Sequence, residues 1–373
     1  MATTIHRVDD RAGRRRFVDL PFRLYRHSPH WTPVMRRDVH RALRTDRFPF
    51  YEHSDGAFFL AGAATHPAGR LAIFENRPYN EHWDRRWAHF HYFDVEDDPD
   101  VAEALFAAAA EWASNRGLER IIGPIGPLPT DGPGILVEGF DRPAAIGMPY
   151  NHRYYPDLIE ANGYEKETDY LAAGFPATAD RIPDQVYSAA DAAAAERGYT
   201  IKRFASRREL RKWIPRLGQA YNEIFVDNWE FRPITVAEME EMGNQFVPIS
   251  IPDHMLAILD GDDIAGHIFI LPEVSAGLRR SRGRILPFGW FHILREVRRP
   301  TGIYLTGIGF KPEHRGVGAN MMVFAGMARA AADYGYQRAE TAHVHEDNER
   351  IRKNLENMGI SWDRRYRIYG AGL

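Results

Sequence analysis

Between Phe310 and Gly318 the sequence reads Phe-Lys-Pro-Glu-His-Arg-Gly-Val-Gly, directly after an apolar run, Ile303 to Phe310. The run predicts a strand, ended by Pro312, which has no N–H to give to a ladder. Gly316 and Gly318 carry no Cβ, so the backbone there can come close to a ligand. A helix from about Ala319 to Asp333 should follow, and the N–H groups of its first turn have no partners within the helix. Strand, glycine turn and helix N-terminus together make a place for a phosphate-like anion, with Arg315 adding positive charge at its edge. The alternative is a tight strand-to-helix connection with no ligand. A dinucleotide fingerprint would need a third glycine, and position 321 is Met. A nucleotide-triphosphate loop would need Gly-Lys-Ser/Thr, which does not follow.

Groups suited to proton transfer come next. Thr341, His343 and His345 alternate along Arg338 to His345, so a strand would put them on one face. Imidazole titrates near neutral pH and suits a general base; a structural, hydrogen-bonded histidine is the alternative. Glu346 and Asp347 are expected to cap the following helix, Asn348 to Asn357. A second group is Asp227-Asn228-Trp229-Glu230-Phe231, between two helical segments. Glu230 offers a base or an amine-binding carboxylate, and Trp229 and Phe231 an apolar wall. The alternative places both aromatics in the core and Glu230 in solvent. The 16 histidines show no ligand spacing tied to carboxylates, so no metal site is expected. With zero cysteines, disulfides, thiolate metal sites and an acyl-Cys intermediate are excluded.

From Tyr304 to Ile360 these pieces resemble the GNAT acyltransferases. The family's fourth strand, Arg-x-x-Gly-x-Gly/Ala loop, long helix, fifth strand and Asn-bearing helix lie in this order. The matching residues are Phe310-x-Pro312, Arg315-Gly316-Val317-Gly318, Asn348-x-x-Ile351 and Met358-Gly359-Ile360. The resemblance implies acetyl-CoA or a longer acyl-CoA as co-substrate. It would be held by His314, Arg315, Gly316, Val317, Gly318, Ala319 and Asn320, with Asn348 beyond. An oxyanion site made of backbone N–H groups is implied at Ile308, Gly309 and Phe310. The implied reaction is acyl transfer to a primary amine by direct attack in a ternary complex. The fourth strand has no carboxylate, so His343, His345 and Glu230 are the candidate bases. Two positions depart from the family pattern. Asn320 stands where most members have Gly or Ala, and Leu355 where many carry a Tyr general acid. These departures keep a second reading open, a non-catalytic acyl-CoA sensor.

The elements that must position this site recur in the first half of the chain. An apolar run at Ala88 to Phe93, a helix at Val101 to Ser114, a strand at Arg120 to Ile122 and a short helix at Tyr154 to Asn162 repeat the later order. Asn115 to Arg120 even matches Asp333 to Arg338 in local wording. The chain is therefore read as α/β, with two tandem GNAT-like domains, each a mixed twisted sheet flanked by helices. Residues 1–178 would be a degenerate copy and 179–373 the acyl-CoA-binding one. The first copy's turn, Asp94-Val95-Glu96-Asp97-Asp98-Pro99, has no glycine, and four carboxylates facing a diphosphate would repel it. Tyr150, Asn151, Tyr154 and Tyr155 either help shape an acceptor cleft or are core. Over the whole chain, Trp31-x-Pro33, Val137-Glu138-Gly139-Phe140-Asp141 and Asn228-Trp229-Glu230-Phe231-x-Pro233 resemble a bacterial group of tandem GNAT-like proteins. Some of these look like bacterial ceramide synthases, which implies a lipid-like amine as acceptor.

The 373 residues suit two domains, and 44% hydrophobic with 27% charged residues is ordinary for a globular protein. A net charge of -3 speaks against nucleic acid as a partner. No apolar leader or spanning stretch is visible, so a cytoplasmic protein is expected, with peripheral membrane contact open. Seven arginines between Arg279 and Arg299 interleave with Ile285, Leu286, Phe288, Trp290, Phe291, Ile293 and Leu294. The favoured reading is a long connection over the core with solvated arginines. A segment lying at an anionic membrane surface is the alternative.

Overall fold

The computed structural model describes residues 3–177, 184–229, 231–316 and 318–373. It divides into two compact units. The first is Met1–Leu171, Leu278–Trp290 and Asp363–Leu373; the second is Ala172–Gly277 and Phe291–Trp362. The expected single cut after residue 178 lies outside the described residues, and neither unit is one continuous stretch. The end of the chain belongs to the first unit because Tyr366, Ile368 and Tyr369, all fully buried, belong to a strand of its sheet.

In the first unit the elements run β1 (Ile5–Arg7), α1 (Arg11–Leu24), α2 (Arg36–Ala42), β2 (Asp55–Ala63), β3 (His66–Glu75), α3 (Arg77–Trp83), β4 (Trp87–Val95), α4 (Pro99–Ser114), β5 (Arg120–Gly123), β6 (Ile135–Glu138), α5 (Tyr155–Ala161) and β7 (Glu165–Ala172). The C-terminal strand β15 (Arg364–Gly372) enters between β5 and β7, and β6 pairs with it too. Helix α4 begins at Asp98, whose carboxylate accepts from the N–H groups of Asp100 and Val101, with Pro99 at the first helical position. Its apolar stripe, Val101, Leu105, Ala109 and Trp112, is buried in the core with Phe90 and Phe106. Gly117, at φ 68°, closes it in the left-handed conformation expected from the sequence.

The second unit has β8 (Gly174–Pro176), α6 (Asp184–Arg197), β9 (Tyr199–Arg203), α7 (Arg207–Ile224), α8 (Val236–Phe246), β10 (Met255–Asp260), β11 (Asp263–Pro272), α9 (Ser275–Ser281), α10 (Gly289–Arg298), β12 (Gly302–Phe310), α11 (Ala319–Tyr334), β13 (Arg338–Thr341), β14 (Val344–His345) and α12 (Glu349–Asn357). Parts of α9 and α10 fall in the first unit. The sheet order is β8-β13-β12-β11-β10-β9. Among the described residues of this sheet only β12 and β13 run parallel, and they pair from Gly302 to Leu305 and from Arg338 to Thr341. Beyond Leu305, β12 continues on β11 alone as far as Phe310.

Two expectations change here. The strand expected from Arg338 to His345 is interrupted at residues 342 and 343. Ala342 gives its N–H to Leu305 O, the last β12 residue that pairs with β13, and the chain then leaves the ladder. The connection from Arg279 to Arg299 covers the core only through Ile293 and Val297; Leu286, Phe288, Trp290 and Phe291 are exposed. No helix among the described residues is long and apolar enough to cross a membrane.

Candidate active site

The site starts from a flaw in a strand. The register of β11 against β12 slips between His267 and Phe269, and Gly307 in the slip has φ 54°. A Cβ there would be strained and would meet the Phe269 ring at 2.6 Å. The bulge resets which backbone groups face which neighbour. Leu305 O accepts from Ala342 on the β13 side, whereas Lys311 N–H gives to Ala265 O on the β11 side. With the two-residue alternation of a strand, Gly309 then faces β11, while Ile308 and Phe310 face the side that β13 has left. Phe310 O does face outward, since it accepts from Arg315 Nε at 3.1 Å. Two of the three expected oxyanion donors are thus aimed at open strand edge, and Gly309 is not. Its missing Cβ serves packing instead: a Cβ would lie 2.4 Å from Ile224 and 3.2 Å from the Phe225 ring.

Ahead of this edge lies the glycine loop. Met321 and Met322 both give their N–H to Gly318 O, so Gly318 opens α11. Gly316 and Gly318 have φ 84° and 73°, values that favour glycine. They are not equivalent. A Cβ at Gly316 meets nothing within 4 Å, whereas one at Gly318 would meet Ala193 Cβ of α6 at 2.5 Å. Gly318 is small for α6, and Gly316 faces open space. Arg315 is engaged by acceptors of the fold. Its guanidinium gives hydrogen bonds to Ile224 O and to the Asp227 carboxylate, each at 2.7 Å, besides the one to Phe310 O. Its charge is matched by Asp227, and its structural role is to tie the loop to the end of α7. His314 Nδ1 lies 2.7 Å from the Tyr199 hydroxyl. Val317 and the side chains of Ala319 and Asn320 lie outside the described residues.

The two candidate base regions, far apart in sequence, meet in the second unit. Trp229 stacks on His345, with centroids 5.5 Å apart and planes 23° from parallel. His345 lies in β14 and is largely buried, and its Nδ1 accepts the N–H of Asp347 at 3.2 Å. His343 sits in the break between β13 and β14, so it does not share a regular strand face with Thr341. Phe231 is buried, in line with a wall or core role, and Glu230 lies outside the described residues. The α12 cap is Asn348, whose Oδ1 accepts from Ile351 N–H, not Glu346 or Asp347. Leu355, where a phenol would stand in many members, is buried in the core.

One functional candidate escaped the sequence. His267 is fully buried and stands directly opposite Gly309, beside the bulge. Its Nδ1 lies 2.6 Å from Gly307 O, a contact that needs the proton on Nδ1. Its Nε2 has no partner among the described residues. Burial pushes its pKa down to about 4, so the ring is neutral near pH 7. The ring stacks on Phe269 at 4.4 Å. A lone histidine in an apolar run gave no signal; only the register slip gives it a place.

The first unit keeps the same plan and fills it. Its parallel β4·β5 pairing covers Trp87 to His89, its β3–β4 register slips between Arg70 and Ala72, and Tyr92 in the slip has φ 51°. There the edge residue is Val95. Its N–H goes to the Tyr155 hydroxyl at 2.9 Å and its carbonyl accepts from Tyr154 at 2.8 Å. Tyr154 and Tyr155 therefore occupy the strand edge rather than line an acceptor cleft. The acidic turn also differs from expectation. Asp94 belongs to β4 and is buried against Arg70 and the Tyr25 hydroxyl, because a buried carboxylate needs such partners. Glu96 pairs with Arg23, and Asp98 fills the α4 N-terminus. The Asp98 carboxylate thus stands where the N–H groups of this helix end point.

No family model matches the sequence. The chain is 28% identical over 368 residues to a protein named bacterial ceramide synthase from Caulobacter vibrioides, covering 96% of this chain and 94% of that protein. It is 27% identical over 369 residues to Protein YghO of Escherichia coli, covering 95% and 91%. Among solved structures it is similar to a tandem GNAT protein from the clavulanic acid biosynthesis pathway. That likeness has a TM-score of 0.56 at 12% identity and covers 99% of this chain and 98% of the other. The fold is that of tandem GNAT proteins.

Proposed function

We propose that the chain transfers an acyl group from acetyl-CoA or a longer acyl-CoA to a primary amine, and that the second unit carries the reaction. One observation supports this above the others: β12 parts from β13 after Leu305, and the bulge at Gly307 aims Ile308 and Phe310 at the opened side. Backbone N–H groups fixed in that direction suit the oxygen of a thioester as it becomes an oxyanion. The Gly316–Gly318 turn and the α11 N-terminus suit the CoA diphosphate through backbone N–H groups. Arg315 shapes that turn.

In this reading the amine, freed of a proton, attacks the thioester carbon in a ternary complex. The C–N bond forms, the nitrogen gives a second proton to solvent as it becomes an amide, the C–S bond breaks, and the CoA thiolate leaves. His345, with Trp229 against its ring, takes the first proton, and His343 and Glu230 are the other candidates. Leu355 has no proton to give, so the thiolate is protonated by water or by the charged base. The relative named bacterial ceramide synthase directs the acceptor search toward long-chain amino alcohols. The buried Leu355 favours the second reading, an acyl-CoA sensor without turnover.

Release of CoA, followed with a thiol reagent, separates the two, and with no cysteines the protein adds no background. Acyl-CoAs of several lengths are paired with small amines and long-chain amino alcohols. Release above the uncatalysed rate that depends on the amine supports the transferase. Tight CoA binding with no release for any pair leaves the sensor.

A further inference from the structure

Between Arg279 and Arg299 the chain holds seven arginines and one acid, Glu296, in a protein of net charge -3. Arg280, Arg282 and Arg284, all in the first unit, are exposed. The positive charges act on one another. Arg36 gives Nε to Arg282 O and its backbone N–H to Gly283 O. Its pKa is pushed down to about 10 by burial and by the charges of Arg284 and Arg282.

Within this basic frame stands a run of uncovered apolar side chains. Leu286 and Phe288 are 75% and 74% exposed, Phe291 56% and Trp290 47%. No other Phe or Trp among the described residues is exposed. The run is held in shape: Trp290 N–H bonds Ile285 O at 2.8 Å, and the indole N–H bonds Pro287 O at 3.1 Å. Val34, also exposed, adjoins it, since its carbonyl lies 2.7 Å from where a Gly283 Cβ would be.

Three large apolar side chains of the first unit within five residues, Leu286, Phe288 and Trp290, are unfavourable in water unless something covers them. The charges say what. An apolar protein partner would have to desolvate the surrounding guanidinium groups. The boundary of an anionic bilayer takes both parts: Leu, Phe and Trp enter the headgroup region, and the arginines meet lipid phosphates. We propose that the segment from Arg280 to Trp290, within the first unit, docks the protein on an anionic lipid surface. This contact is peripheral and reversible, and it does not rest on the acyl-transfer reading.

Co-sedimentation with vesicles tests it on the full chain. One set is phosphatidylcholine alone; the other contains about one-third phosphatidylglycerol, which adds negative surface charge. Wild type should pellet with the second set at least about tenfold more strongly, and release at roughly 0.5 M salt, where surface charge is screened. Leu286→Ser combined with Phe288→Ser, and separately Arg282→Glu combined with Arg284→Glu, should each lower the partition about tenfold or more. Both pairs are exposed in the fold, and melting curves check that each variant is folded. No pelleting of wild type with anionic vesicles overturns the proposal, as does unchanged pelleting of both variants. A wild-type dimer that Leu286→Ser with Phe288→Ser converts to monomer also overturns it, with a second copy as the cover.

Discussion

The indole of Trp229 lies over the imidazole of His345, with ring centroids 5.5 Å apart and planes 23° from parallel. The pair joins the end of the α7 connection to the strand after β13, and it puts an apolar wall beside a candidate base. Trp229→Ala should lower kcat/KM for the amine about tenfold or more, through loss of positioning, with CoA affinity unchanged. His345→Gln should lower kcat by roughly 10² or more if the ring takes the proton. Steady-state kinetics with amine and acyl-CoA varied separately checks both. Full turnover in His345→Gln and His343→Gln would move the base to Glu230.

The glycine loop gives a paired prediction. In Gly318→Ala the added Cβ would press on Ala193 at 2.5 Å, so the loop must shift. CoA affinity should fall at least about tenfold, or roughly 1.4 kcal/mol. Gly316→Ala meets nothing within 4 Å, so its cost is the strain of φ 84°, about 1 kcal/mol of stability, with a smaller change in CoA binding. Calorimetric titration of both variants decides. Equal CoA affinity in the two would mean that the Gly318 packing does not set the loop.

One CoA should bind per chain. In the first unit the Tyr155 hydroxyl holds the Val95 N–H, and Asp98 fills the α4 N-terminus. Tyr155→Phe leaves that buried N–H without its partner and should cost about 1–3 kcal/mol of stability. It should leave the CoA stoichiometry at one. A fitted value near two for wild type would show that the first unit binds as well.

His267 sets an acid limit. Its pKa in the fold is about 4, below its ordinary value of 6.5, so the unfolded chain binds its proton first as pH falls. Its contribution is fully present above about pH 6.5 and is lost as pH drops toward about 4, by up to roughly 3 kcal/mol. His267→Asn can still give an N–H to Gly307 O but cannot charge. Its melting temperature should therefore fall less steeply over that window than wild type's. Parallel slopes in the two proteins would sink the assignment. His267→Leu loses the bond to the bulge, and its kcat should fall more than that of His267→Asn.

Much of the plan was legible in the residues. Pro312, Gly316 and Gly318 marked the turn because Pro cannot continue a ladder and glycine tolerates positive φ. The strand–helix–strand order was readable twice, since apolar periodicity is a local property. The missing glycine and the acidic residues of the first copy also pointed to a helix end unfit for an anion.

The sequence by itself determined the order of the elements, the position of the glycine loop and the inequality of the two copies. The tertiary structure decided which groups face the site. The slip beside His267 reverses the alternation along β12, and a register is a relation between two strands that neither run of residues contains. Arg315 could have faced a phosphate; it faces Asp227 and Ile224 O, because a guanidinium is satisfied by whatever acceptors the fold brings near. Leu286 and Phe288 lie in a segment that reads as a connection over the core, yet the packing leaves them uncovered, since burial depends on what the rest of the chain has already filled.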